Sequence, residues 1–349
     1  MAIVGVGLCC SIGHSFEAAS AAYREGVRAF VKTDDLIGPD GLSLRIAPVF
    51  AAHEIRNFEV RLQRLFGTAA ADLSDQLGSW VKPTPLRLLI PAWLTDNPIA
   101  TRLSEWIAAT WPSLVASVEL VSAKDAMALA ELARGILAIR EKKQEAVIVA
   151  ALDSFLHAEL LDRLALDNRL LTREQPHGVI PSEAAVLFYL AEASAARPPR
   201  LLGRVLAAWP GRESEDVRRP QGLIGRPLAR AVSIALARSM PDRLMVDLNG
   251  ERWRAEELAV VLSAAPPLPD RLEADFETPP LTAGHCGAAT GMLMAALALN
   301  DQPPGQTVED GGREASETTL ISTSQFDGLR AVALIERYRQ PVLSMESAS

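Results

Sequence analysis

The segment Gly284-His285-Cys286-Gly287-Ala288-Ala289-Thr290-Gly291 carries the densest chemistry in the chain. A turn-forming glycine precedes a histidine, and small residues follow where a helix is expected to begin. Amides at a helix start favour anions and lower the pKa of a nearby imidazole, so His285 there would act as a neutral hydrogen-bond donor. The small residues let backbone or ligand approach closely. Two readings stand: a functional histidine, and one that only caps the helix. Nucleophiles are scarce. The 349 residues include three cysteines, Cys9 and Cys10 near the start and Cys286 beside His285. Successive residues at a helix start point about 100° apart, so Cys286 reads as a packing residue. So few cysteines, and an odd number, cannot staple a disulfide scaffold and suit a reducing cytoplasm. Metal-ligand spacings, phosphate-binding loops and dinucleotide fingerprints are missing, and Gly5-x-Gly7 lacks a third glycine and an acidic partner. The sequence implies no metal and no cofactor.

Such residues need a framework. The chain is 49% apolar and 22% charged, which excludes disorder, collagen and low-complexity scaffolds. Its length suits two domains or one duplicated unit with a large core. A net charge of −8 argues against a general nucleic-acid binder. Thirty arginines against five lysines reflect high-GC coding and a bacterial source. Leu8-Cys9-Cys10 has a superficial likeness to a lipoprotein cleavage site. The first basic residue is Arg24, however, so the positive n-region is missing and Ile3–Cys9 reads as a buried strand. No apolar run approaches the roughly 20 residues that span a bilayer, so a cytoplasmic protein off the membrane is expected.

Strand-length apolar runs alternate with helix-period stretches. Strand Ile3–Cys9 leads to helix Ser15–Gly26, which Ser15 caps. Residues 27–85 read as an irregular excursion with a short helix near His53–Phe66. Strand Leu86–Ala92, helix Pro98–Trp111, strand Ser117–Ser122, helix Asp125–Lys142 and strand Ala146–Leu152 follow. Helix His157–Asp167 and strand Ala184–Leu190 close the first half. The second half repeats the rhythm with strand Arg200–Trp209, helix Pro227–Ser239, strand Arg243–Leu248 and helix Ala255–Ala265. Strand Arg271–Phe276 and helix Cys286–Asn300 come next. Strands Thr318–Ser324 and Leu329–Glu336 then flank a turn at Asp327-Gly328. This is an α/β pattern, with parallel sheets covered on both faces and an antiparallel closing edge. The halves, 1–193 and 200–349, meet at a linker over Ala193–Pro199. Segments 264–280 and 301–317, rich in proline and acid, read as surface loops.

Gly284–Gly291 resembles the Gly-His-x-x-Gly-Ala-Ala-Gly segment of the β-ketoacyl synthases in the thiolase superfamily. Other landmarks fall in the matching order. Gly5-Val6-Gly7 with Ser11-Ile12-Gly13 is similar to the first strand and turn of those enzymes, and Ala146–Ser154 to their buried strand ending in Asp-Ser. Ile180-Pro181-Ser182-Glu183-Ala184-Ala185 resembles their Val-Pro-Gly-Glu-Gly-Ala. Val246-Asp247-Leu248-Asn249-Gly250 stands in place of Asn-Ala-His-Gly-Thr, and Ser324-Gln325-Phe326-Asp327-Gly328 in place of Phe-Gly-Phe-Gly-Gly. The resemblance spans nearly the whole chain. It implies a thiolase-like fold: two related halves packed as a five-layer αβαβα sandwich, usually dimeric through a sheet edge.

The departures bear on activity. The resemblance implies a nucleophilic cysteine at a helix N-terminus near Lys124–Ala126. The window reads Ser122-Ala123-Lys124-Asp125-Ala126-Met127, and no cysteine lies between Cys10 and Cys286. Substitutes are poor: Ser122 lacks a base, Lys124 beside Asp125 stays charged, and Cys9 and Cys10 end a buried strand. The first family histidine maps to Asn249 and the family lysine to Pro280. Gln325, Asp327, Ser182 and Ala184 replace family glycines, whereas His285, Phe326, Gly328 and Glu183 keep the family's residue type. A residual site of His285 and Asn249 is implied, two donors for the enolate formed when a malonyl thioester loses carbon dioxide. Lys124, Asp125, Ala126, Phe326 and Gly328 would be its vestigial pocket. The plainer reading makes Glu183 a brace, Phe326 core, Gly328 a turn residue and His285 a helix cap.

The leading expectation is a non-catalytic β-ketoacyl-synthase-like protein, a binding partner or accessory subunit similar to chain-length-factor-like subunits of polyketide systems. The alternative is an acyltransferase or malonyl-thioester decarboxylase. The resemblance implies a homodimer, or a heterodimer with an active synthase. It also admits an acyl carrier protein or a component of a bacterial secretion system as partner. Arg197 to Arg238 holds nine arginines against three acids, a patch suited to an acidic carrier or simply a solvated surface.

Overall fold

The chain begins with β1 (Ala2–Cys10), buried at all nine positions. Ser15 caps α1 (Phe16–Arg24) by accepting the Ala18 amide at 3.1 Å. A hairpin of β2 (Val31–Ile37) and β3 (Ser43–Ile46) pairs only with itself and leads to α2 (Phe58–Leu77). Next come β4 (Thr84–Pro91), the single turn α3 (Ala92–Thr95), α4 (Pro98–Thr110) and β5 (Val115–Ala123). α5 (Met127–Arg140), β6 (Ala146–Ser154), α6 (Ala158–Leu166) and β7 (Glu183–Ala191) complete the first run. The second contains β8 (Gly203–Arg212), α7 (Arg226–Arg238), β9 (Arg243–Val246) and α8 (Arg252–Ala264). The turn α9 (Pro280–Ala283), α10 (Thr290–Ala298), β10 (Glu317–Ser324) and β11 (Leu329–Arg337) close it. This computed structural model describes residues 2–123, 126–192, 201–218, 220–266, 268, 272, 275–300 and 316–338.

The strands order as β5-β4-β6-β7-β1-β8-β11-β10-β9. β4 runs parallel to β5 and β6, and β7 lies antiparallel between β6 and β1. In the second run β9 is parallel to β10, and β11 lies antiparallel between β10 and β8. β1-β7-β6-β4 and β8-β11-β10-β9 therefore share one order and one set of strand senses. Among the described residues a single ladder pair, Ile3 with Gly203, joins them. Antiparallel pairing goes well beyond the closing edge expected from the sequence, because β7 reverses even though α6 intervenes.

α5 packs on β6 and β7 and also on β8 and β11, while α10 touches β1, β7, β10 and β11. These two helices form a middle layer. α10 is buried at every position, as a helix apolar on all sides must be. α2 and α4 cover the first sheet run, and α7, with α8 packed on it, covers the second. The architecture is a thiolase-like αβαβα sandwich with three large apolar clusters, one around the middle helices and one beneath each outer helix layer.

Two further expectations are corrected. Residues 27–85 are largely regular: they form the hairpin and the 20-residue α2, not a short helix near His53–Phe66. Buried Leu62, Leu65, Phe66, Ala69, Leu73 and Leu77 give α2 its core stripe, each fully buried Leu or Phe contributing roughly 1.5–3 kcal/mol. Gly7 exists for this helix, since a Cβ there would lie 2.0 Å from the Ala69 carbonyl oxygen. The helix expected over Cys286–Asn300 starts only at Thr290, after a 3₁₀ turn at Gly287–Ala289. The linker 193–199, residues 271, 273 and 274 of the expected strand 271–276 and residues 301–315 of the second loop lie outside the described residues.

Candidate functional site

His285 sits on an extended segment between α9 and α10, not at a helix start. Its amide donates to the Ile180 carbonyl at 2.9 Å, and its carbonyl accepts from the Ser182 amide at 3.1 Å. Gly284 makes this possible: its φ is +81°, and a Cβ would meet Ser182 Cβ at 2.6 Å. The expected helix-cap role for His285 is therefore overturned. The imidazole is 1% exposed and stacks on Phe155, with ring centroids 5.4 Å apart. Asp153 at the end of β6 takes the next orphan amide, that of Ala288, at 2.8 Å.

Asn249, just after β9, is brought to His285 as the sequence implied. Its Nδ2 lies 3.4 Å from His285 Nδ1 and donates to Glu251 Oε2 at 3.0 Å. Its Oδ1 accepts the Glu251 amide at 3.1 Å, the local turn that asparagine favours. Arg169 grips Glu251 with two nitrogens at 2.7 and 3.2 Å, and Arg254 Nε adds a third bond at 3.1 Å. Burial alone would raise the Glu251 pKa. The Arg169 and Arg254 guanidiniums, assisted by His285, instead hold the carboxyl well below the usual carboxylate range.

The network continues. Arg254 also pairs with Asp247, which accepts the Ser324 amide at 2.6 Å. Glu257 pairs with Arg330 and accepts the Ser324 hydroxyl. The guanidiniums of Arg169 and Arg218 both lie over the Phe326 ring, 4.5 and 5.2 Å from its centroid. It is therefore half-buried beneath arginines and joins a small cluster with Trp253. Gly328 has φ +101°, and a Cβ there would come within 2.7 Å of the Glu213 carbonyl oxygen. It is a turn residue. A continuous path runs Phe326–Arg169–Glu251–Asn249–His285.

At the expected nucleophile position Ala126 is buried at the start of α5, in the apolar cluster that holds Cys286, Ala288 and Ala289. Lys124 and Asp125 lie outside the described residues. Ser122 is exposed on β5. All three cysteines are unpaired and buried. Burial is the main cause that raises their thiol pKa values, that of Cys10 to about 11, and it disfavours the thiolate. Glu183, fully buried, accepts from Arg61 Nη1 at 2.8 and 3.0 Å, from the Val49 amide at 2.9 Å and from Ser154 Oγ at 2.7 Å. It ties α2, β6 and β7 together.

Sequence reasoning missed Arg169, Glu251, Arg254 and Phe155. The spacing Asn249-x-Glu251-x-x-Arg254 was a local signal for two of them. Arg169, 82 residues from Glu251, left none.

No protein-family model matches the chain, and no curated protein matches it. Solved structures do. The ishigamide ketosynthase/chain length factor superposes with TM-score 0.72 at 16% identity, covering 97% of this chain and 99% of that one. A Streptomyces albus JA3453 oxazolomycin ketosynthase domain gives 0.74 at 15% identity, over 98% of this chain and 75% of that one. A type II polyketide ketosynthase solved with its acyl-carrier protein and bound to a hexaketide gives 0.74 at 12% identity, over 97% and 99%. The chain has the thiolase-like fold of ketosynthases.

Proposed function

We propose that this chain is a non-catalytic ketosynthase-like protein that works by binding a partner. One observation carries the reading: no cysteine lies between Cys10 and Cys286, and all three cysteines are buried thiols with raised pKa values. Covalent acyl transfer needs an accessible thiolate at a helix start. His285 and Asn249 would be the residue of the ancestral donor pair, with Lys124, Asp125, Ala126, Phe326 and Gly328 as the remains of its pocket. The Asn249 amide has two N–H donors. One bonds Glu251 and the other faces His285 Nδ1, so neither is left for an enolate oxygen. This weighs against a residual decarboxylase.

The partner is a second ketosynthase-type chain, a copy of this one or an active synthase, paired along the edge strand β5. The likeness to a ketosynthase/chain length factor supports this kind of partner. An acyl carrier protein or a secretion-system component is a further partner class, and the carrier-bound ketosynthase supports the former. A cytoplasmic setting fits three unpaired cysteines. Among the described residues no helix is long and apolar enough to cross a membrane.

The purified chain is incubated with acetyl and malonyl thioesters and followed by intact mass and carbon dioxide release. We expect no acyl adduct, and no more decarboxylation than His285→Ala supports. An adduct on any side chain, or release that His285→Ala abolishes, overturns the reading.

A further inference from the structure

A neutral imidazole carries one proton between two ring nitrogens, and the partner of each nitrogen decides where it sits. His285 turns Nδ1 toward Asn249, whose Nδ2 lies 3.4 Å away. The ring itself is held in place. Its backbone pairs with Ile180 and Ser182, and Phe155 stacks on its face with the planes 27° apart. The proton's place then depends on whether Asn249 shows that nitrogen an N–H or a carbonyl oxygen.

Glu251 fixes the answer from two directions. Its backbone amide can only donate, and Asn249 Oδ1 accepts that bond at 3.1 Å. Burial pushes its carboxyl pKa up, but Arg169 and Arg254 carry it well below the usual carboxylate range, so the side chain is ionised and can only accept. Asn249 Nδ2 meets that acceptor, Oε2, at 3.0 Å. Turning the amide over would set its oxygen against the carboxylate and its N–H groups against the Glu251 amide. Mismatched polar groups are costly where water is excluded, and Asn249, Glu251 and His285 are all buried. One Nδ2 hydrogen therefore serves Glu251, and the other faces His285 Nδ1. That nitrogen must then accept, which places the ring proton on Nε2.

We propose that Asn249 locks His285 as the neutral Nε2–H tautomer, a hydrogen-bond donor whose one lone pair is covered, with Glu251 and Arg169 holding Asn249 in place. Helix amides, expected to impose a neutral donor here, lie too far along the chain, since α10 starts only at Thr290. Asn249 imposes that state instead. A general base needs an open lone pair, so the lock withholds that role from His285 and leaves it able to donate. Asn249 and Glu251 are positioning residues in this arrangement. Acyl transfer is a separate matter, because the thioester incubation reads adducts and carbon dioxide, whereas the tautomer is read on the ring itself.

The full chain, labelled with nitrogen-15 at its five histidines, is read by long-range proton–nitrogen correlation at about pH 8, where an ordinary histidine is neutral. His285 is assigned by the signals missing from His285→Gln. The expected result is an unprotonated Nδ1 and a protonated Nε2. Asn249→Ser keeps an oxygen for the Glu251 amide but has no donor that reaches Nδ1, so the Nδ1 resonance should shift. Asn249→Asp sets a carboxylate oxygen opposite Nδ1, and the ring proton should move there, seen as an Nδ1 resonance in the protonated range. Near-ultraviolet circular dichroism checks that each variant is folded. A wild-type His285 protonated on Nδ1, or an Nδ1 resonance that neither variant moves, overturns the proposal.

Discussion

Burying the Glu251 carboxylate costs free energy, which the closure of Arg169 and Arg254 on it and the bond from Asn249 offset. Removing the charge takes the carboxylate from Arg169, whereas Arg254 keeps Asp247, and breaking a buried pair costs roughly 3–5 kcal/mol. Glu251→Gln should therefore destabilise the chain by about 3 kcal/mol at neutral pH. The folded-state pKa lies below the unfolded one, so as pH falls the unfolded chain takes up the proton first. The carboxylate's stabilisation is thus complete above the unfolded pKa of about 4.3 and is lost progressively as pH drops toward the folded value. Urea midpoints of wild type and Glu251→Gln should differ widely near neutrality and converge toward about pH 3. An equal gap at both pH values would show that Glu251 is not held as a charge. At this scale the sequence pointed to His285 by its motif and to Asn249 by the order of motifs, and the structure places the two 3.4 Å apart. Their company stayed hidden, because Arg169 meets Glu251 only once a loop after α6 folds against the start of α8.

α2 shows how a helix escapes notice. Its 20 residues carry Arg61 inside the core, paired with Glu183 (a charged residue on the apolar stripe). The helix expected near His53–Phe66 runs through that charge and stops just before Gly67, a residue disfavoured in a helix interior, whereas α2 continues to Leu77. Its start was nevertheless signalled, because Asn57 accepts the Val60 amide at 3.0 Å and satisfies one orphan donor. Asn57→Ala should cost about 1 kcal/mol and Asn57→Ser much less, read from denaturant midpoints. Equal losses would mean that the side-chain oxygen does not act as the cap. α10 erred in the other direction. The small residues after His285 looked like a helix start, yet Gly287 takes φ +53° and places a 3₁₀ turn first. A Cβ at Gly287 would lie 2.2 Å from an Asp153 oxygen, so the contact that fixes this turn comes from β6. Elements defined by uninterrupted apolar runs, β1, β6 and β7, were legible because burial on both faces leaves no alternation to misread.

The whole molecule was legible because the order of motifs along the chain survives where the individual motifs have drifted. What the order cannot supply is the state of the sheet's two ends. One edge, β9, has four residues, whereas the other, β5, has nine. A long edge with unpaired amides and carbonyls invites another strand unless charge, proline or a bulge blocks it. β5 has no proline and one charged residue, Glu119, which is engaged by Arg87 of β4. Val118, Leu120 and Val121 are only half-buried along it. This edge is accordingly where a second chain should add. Wild-type protein should sediment as a dimer at micromolar concentration, or form a heterodimer when mixed with an active synthase. Ser117→Lys with Ser122→Lys places like charges on exposed positions of the edge without touching the core, and should yield folded monomer. Sedimentation velocity decides the matter. A wild type that remains monomeric in both settings, or a double-lysine variant that still pairs, removes β5 as the partner edge.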